Sequence, residues 1–274
     1  MSPEVGVLDQ EAFAQILAED PDLALALLAE ASGATDEQLR AAARALAAAI
    51  VLDRANAGAP RRRGIGRMQS APWDAGGDLD LDASLPAVAE ARALRRPMSG
   101  ADLTVRQWGR PTLALCLLVD ASGSMGGARL AAAALTAAAC AWRAPGDHAV
   151  LSFAREVRVL RSMESIRTPS EVVDDVLRLR GHGVTALAAA LRRAGAELAA
   201  SQAARRVAVL LSDCRATDDE DPLPAAAGLP ELLILAPADD SDAAADLAFR
   251  SGARWAPMHG PADAPAALLG LLEG

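Results

Sequence analysis

The run Leu117-Leu118-Val119-Asp120-Ala121-Ser122-Gly123-Ser124-Met125 carries an apolar stretch into an acid and then sets two hydroxyls at alternate positions. A second apolar stretch, Val209-Leu210-Leu211, runs through Ser212 into Asp213, and between the two lies the glycine-flanked Gly181-His182-Gly183-Val184-Thr185. If both apolar stretches are strands of an open α/β sheet, their carboxyl ends share one rim, where the functional crevice of such sheets lies. Asp120, Ser122, Ser124, Thr185 and Asp213 then bring two carboxylates and three hydroxyls together from three loops. An oxygen-only set suits a hard cation, Mg²⁺ or Mn²⁺, and disfavours zinc or copper. Mg²⁺ takes about six ligands and keeps waters among them, which leaves a position for an incoming group. Gly123 lets the turn tighten, Gly126-Gly127 lets the chain enter a helix without a side-chain clash, and Thr185 doubles as an N-cap.

Other chemistries fit less well. A nucleophilic role for Ser122 or Ser124 needs a base within reach, and His148, His182 and His259 show no elbow or triad context, so no enzymatic activity is expected. The sequence contains no lysine, which rules out a P-loop nucleotide site, because that loop uses a lysine on the terminal phosphates. Cys116, Cys140 and Cys214 are too irregularly spaced for a disulfide framework or a zinc site and read as small core residues. His182, between two glycines, reads as an exposed loop residue. Asp218-Asp219-Glu220-Asp221 reads as a solvated loop. A net charge of −9 with no basic run longer than Arg61-Arg62-Arg63 argues against nucleic acid, whose phosphates require clustered cations.

The surrounding elements divide the chain into three parts. Residues 1–58 read as a small helical unit, with Asp9 and Asp20 as N-caps, Pro21 at a first helical position and capping-box spacing from Thr35 to Gln38. Leu23 with Leu27, and Leu39, Ala43, Leu46 and Ile50, give the helices apolar stripes, and Gly33 and Gly58 are terminators. Helices this short make a marginal fold alone, so this part is expected to pack on the rest of the chain or on a partner. Residues 59–110 form an Arg/Pro/Gly-containing linker: Asp78-Leu79-Asp80-Leu81-Asp82 alternates as a half-buried strand does, 84–95 resembles a helix and 103–108 a second strand. From 111 to 274 strands and helices alternate, the pattern of a mostly parallel sheet flanked by helices. The strands are expected at 113–119, 149–153, 156–160 (a hairpin with the preceding one), 206–211, 232–236 and near Arg254. The longest apolar stretch, 130–142, falls short of the roughly 18 residues that span a membrane, and no export signal opens the chain, so a cytoplasmic protein is expected.

These residues resemble the von Willebrand factor A (VWA) family, whose metal-ion-dependent adhesion site reads Asp-x-Ser-x-Ser, then Thr, then Asp. Asp120, Ser122, Ser124, Thr185 and Asp213 match it in order, and the resemblance covers roughly residues 111–274. It implies a Rossmann-like α/β domain in which Asp120, Ser122, Ser124 and Thr185 surround the ion, with Asp213 beside it acting through water. It also implies a partner protein that fills the open position with an Asp or Glu side chain. Two fixed carboxylates leave a 2+ ion electrophilic enough to attract that group, where a third would weaken the pull. The helical start, Arg-rich linker and C-terminal metal-site domain look like bacterial VWA proteins that work with AAA+ ATPases, either MoxR-type partners or the magnesium chelatase D subunit. The chain has no room for the AAA+-like module of the latter, so the MoxR branch is the reading taken. A stand-alone scaffold and a non-catalytic metal-insertion subunit are the alternatives.

Overall fold

The computed structural model describes residues 10–32, 43, 50–51, 67–73, 78–109, 113–123, 127–181 and 183–274. Asp9, Gly33, the Thr35–Gln38 spacing, Leu39, Leu46, Gly58, the Arg61–Arg63 cluster, Ser124, Gly126 and His182 lie outside them. The chain forms two compact units, residues 1–59 together with 113–274, and residues 60–112.

The larger unit is built on six strands: β4 (Leu113–Asp120), β5 (His148–Phe153), β6 (Val157–Arg161), β7 (Arg205–Leu211), β8 (Leu232–Pro237) and β9 (Arg254–Met258). Their order is β6-β5-β4-β7-β8-β9. Only β6 runs antiparallel, closing the β5–β6 hairpin. This is the Rossmann-like α/β architecture expected from the alternating pattern. Along β4, side chains alternate between two cores, as the period of two requires. Leu115, Leu117 and Val119 face one side, and Ala114, Cys116 and Leu118 the other. A strand covered on both faces has to be apolar throughout, which is why 113–119 shows no polar alternation.

Helix α4 (Gly127–Arg143) fills the first core, where α5 (Pro169–Leu177) packs beside it. Its residues Leu130 to Ala141 are buried without a break, as a helix must be when it is covered all round. The outer cover is α2 (Pro21–Ala31), which follows α1 (Gln10–Glu19) and shares this core through Leu25 and Leu28. Asp20 caps α2 by accepting the Leu23 N–H at 3.0 Å, with Pro21 at the first position. The buried stripe of α2 is Ala24, Leu25, Leu28 and Ala29, whereas Leu23 and Leu27 are 49% and 44% exposed. PDLALALLAEA is apolar on nearly every face, so periodicity alone pointed to the wrong stripe. Two long-range contacts set the rotation. The Asp22 carboxylate accepts the Ala262 N–H at 2.7 Å, and the α2 backbone lies so close to Gly127 that a Cβ there would meet the Ala26 carbonyl oxygen at 2.3 Å. Helices α6 (Leu187–Ala199), α7 (Leu223–Ala227) and α8 (Asp242–Ser251) cover the second face, and α9 (Ala264–Glu273) joins the first.

The smaller unit has antiparallel strands β1 (Arg67–Pro72), β2 (Asp78–Leu79) and β3 (Thr104–Gly109), in the order β1-β3-β2, and helix α3 (Leu81–Ala93). The strand expected over 78–82 stops at Leu79. Asp80 instead caps α3, accepting the Ala83 N–H at 3.1 Å, and pairs with Arg106 at 2.8 Å. A helix N-cap outcompetes continued pairing here because Asp readily bonds to nearby backbone N–H groups. Among the described residues no helix is long and apolar enough to cross a membrane.

Candidate functional site

The rim at the carboxyl ends of β4 and β7 is set by strand register. Val119 stands opposite Leu211, so the next residues, Asp120 and Ser212, meet. The Ser212 hydroxyl donates to Asp120 Oδ2 at 2.5 Å. The other carboxylate oxygen, Oδ1, accepts the Ser122 N–H at 2.9 Å and the Ser122 hydroxyl at 2.6 Å, a local loop closed by an aspartate on the backbone two residues ahead. Gly123 completes the turn at φ +64°, a left-handed conformation that glycine adopts without strain.

Thr185 reaches the same point from the loop before α6. Its hydroxyl donates to Ser122 Oγ at 2.7 Å. Thr185 is not the N-cap: α6 begins at Leu187 with Ala186 in the cap position, which leaves the threonine oxygen to the rim. Its backbone is pinned by Thr217, whose Oγ1 accepts the Thr185 N–H at 2.7 Å and whose N–H donates to the Thr185 carbonyl at 3.2 Å. The following Ala186 N–H bonds to Ala154 beyond β5 at 2.9 Å. Asp120, Ser122 and Thr185 therefore come together, and Asp213 stands near Asp120, lining with it, Ser212 and Arg129 a cavity of about 50 Å³.

Burial pushes the Asp120 carboxyl up, and the negative charge of Asp213 adds to the push against the hydrogen bonds from Ser122 and Ser212. Asp213 Oδ1 accepts the Arg215 N–H at 3.0 Å. The turn between them places Cys214 at φ +63°, a conformation that costs a non-glycine residue about 1 kcal/mol or more. The Ser212 hydroxyl, which accepts the Cys214 N–H at 2.9 Å, holds it there. The Cys214 side chain packs into the second core with its thiol pushed up by burial, and Cys116 and Cys140 are fully buried too. Among the described residues no three His, Cys, Asp or Glu side chains are grouped to hold a metal ion. What converges at Asp120 is hydroxyl oxygen, which, with one carboxylate, is the ligand type a hard cation takes.

Sequence reasoning missed Ser212 and Thr217. Ser212 stood in plain view before Asp213, but its meeting with Asp120 depends on a register that strand composition does not reveal. Thr217, between Ala216 and the acidic run, carries no signal at all.

Residues 42–240 match the family described as VWA domain containing CoxE-like protein. The chain belongs to this CoxE-like VWA family. Among solved structures, the CoxE-like chain is similar to a von Willebrand factor type A protein from Catenulispora acidiphila, at 18% identity and TM-score 0.47 over 60% of this chain and 42% of that one. BatB, a conserved hypothetical protein from Bacteroides thetaiotaomicron, aligns at 13% identity and TM-score 0.47 over 59% of this chain and 97% of its own. Manganese-loaded TRAP protein from Plasmodium vivax aligns at 16% identity and TM-score 0.42, over 54% and 69% respectively. No curated protein matches the chain.

Proposed function

We propose that this CoxE-like protein is a protein-binding module that captures a partner's Asp or Glu carboxylate through a divalent cation, Mg²⁺ or Mn²⁺. Asp120, Ser122, Ser124 and Thr185 would hold the ion, with Asp213 beside them. One observation carries the reading: the Thr185 hydroxyl reaches Ser122 across 63 residues of sequence at 2.7 Å, while Ser122 reaches Asp120 at 2.6 Å. A fortuitous polar rim has no need for hydroxyls from two loops to chain onto one carboxylate. The raised Asp120 carboxyl supports it as well, because a buried acid beside a second acid gains most from a cation. The ion, when bound, supplies an electrophilic site for an incoming carboxylate. The chain's own work is to fix those oxygens, with Ser212 and Thr217 positioning Asp120 and Thr185.

The module acts as the VWA partner of an AAA+ ATPase of the MoxR type, in maturation of a protein or metallo-complex. The chain carries no P-loop lysine, so in this reading the partner supplies the force and this protein the grip. Thermal melting with Mg²⁺ tests the site. A ligand bound only by the folded state adds about 2.7 kcal/mol at about a hundredfold excess over Kd, so the melting temperature should rise in the wild type and stay flat in Asp120→Ala. An undiminished rise in the variant would place the ion elsewhere. Copurification from the native host tests the partner: an AAA+ hexamer retained with Mg²⁺ and lost with chelator is expected, and no ATPase under either condition would refute that assignment.

A further inference from the structure

Beside the Asp120 loop lies a cleft of about 510 Å³ that reaches the metal-site rim through Ala121 and Gly183. Its charge differs from that of the chain. Arg155 and Arg158 come from the β5–β6 hairpin, and Arg178 and Arg180 from the segment after α5. Two acids also line it, Glu156 and Asp175. Asp175 is already matched by Arg167 at 2.6 Å and by Arg178. Among the described residues, neither Arg155 nor Arg158 has a carboxylate within ion-pairing distance, and both are exposed. Such unmatched guanidinium groups, in a protein of net charge −9, are a local donor surface for anions. Leu160 and Leu179 add apolar lining.

We propose that this cleft is a docking surface for an extended acidic segment of a partner protein, which places one carboxylate at the Asp120 rim and further acidic side chains on Arg155 and Arg158. Charge complementarity selects acid, and the apolar lining selects a polypeptide with interspersed aliphatic residues. A nucleic acid fits less well, because the chain's overall negative charge repels a polyanion and Glu156 stands among the arginines. The contact at the rim rests on the metal reading above, whereas the contact with the arginines stands without it.

The probe is a short fluorescent peptide alternating glutamate with leucine, titrated against the full chain by anisotropy, with a glutamine-for-glutamate peptide and a single-stranded DNA oligomer as comparisons. The glutamate peptide should bind tightest, and its affinity should fall with added salt. Arg155→Glu/Arg158→Glu should weaken it about tenfold or more, since two attractions become repulsions. Both positions are exposed and without ion-pair partners among the described residues, so the double variant should keep the wild-type circular dichroism spectrum. Asp120→Ala or chelator should remove only part of the affinity. If the double variant binds as the wild type does, or the oligomer binds as tightly as the glutamate peptide, the proposal is overturned. Loss in the arginine variant with no effect of Asp120→Ala or chelator supports the cleft and counts against the metal reading. The reverse pattern removes the cleft and keeps the ion.

Discussion

Acidification should destabilise the larger unit through His148, the first residue of β5. Its ring is 1% exposed, and Nδ1 lies 2.9 Å from the Ala144 carbonyl oxygen, to which the neutral ring donates. Among the described residues Nε2 has no hydrogen-bond partner, and the Arg161 guanidinium donates to the His148 carbonyl. Burial first, and then the Arg161 charge, lower the ring to about 4, against about 6.5 in an unfolded chain. The unfolded state therefore takes up a proton that the folded state refuses. The stability present above about pH 6.5 is lost progressively as the pH falls towards about 4. With those two values the loss between about pH 7.5 and about pH 5 is about 2 kcal/mol. Urea unfolding followed by tryptophan fluorescence at the two pH values would measure it, in the wild type and in His148→Asn, which retains a side-chain N–H for Ala144 but does not titrate. Carboxylates shared by both proteins drop out of the comparison. The wild type should lose about 2 kcal/mol more than the variant. Equal losses would mean that the ring is solvated or already charged in the folded state and would refute the coupling.

Three further outcomes are expected. Gly127→Ala should destabilise by about 1–3 kcal/mol, the range for overpacking a filled contact, because the new methyl meets the Ala26 carbonyl oxygen; urea midpoints give the loss, and hydrogen exchange should show it concentrated in α2. Thr185→Val should keep the fold and lose the Mg²⁺-dependent rise in melting temperature, while a full rise would show that the hydroxyl at 2.7 Å from Ser122 is no ligand. Glu231 bonds Arg205 at 2.7 Å and Arg254 at 2.5 Å, and the Arg205 bond is the main force holding its carboxyl below the usual range. The stability it contributes is present above about pH 4.3 and falls away as pH drops through the lowered value. Glu231→Gln should flatten that part of the acid unfolding curve, and an unchanged curve would refute the assignment.

Much of the rim was legible because central parallel strands have to be apolar throughout and stop where they meet solvent. Asp120 and Asp213 therefore announced themselves as the first acids beyond 113–119 and 206–211. What happened one residue further along was hidden. The bond from Ser212 to Asp120 needs the Val119–Leu211 pairing, and nothing in either strand's composition chooses that register over its neighbours. Thr185 was found by its place after a glycine loop, yet its capping role was misjudged, since Leu187 rather than Ala186 opens the helix. Periodicity located α2 and failed to orient it, because contacts with Ala262 and Gly127, far away in sequence, decide its rotation. Asp80 looked like a strand residue until its carboxylate was seen on the Ala83 N–H, a local bond that pattern reading weighs too lightly.

Gly127 opens α4, seven positions after Asp120 in the sequence, and the α2 backbone rests against it with no slack. The two helices are thus pressed together at the first residue of α4. Any side chain larger than a hydrogen at 127 would push α2 outward and strain the bond from the Ala262 N–H to Asp22. A single missing methyl group is thus what lets α2 close down over the first core.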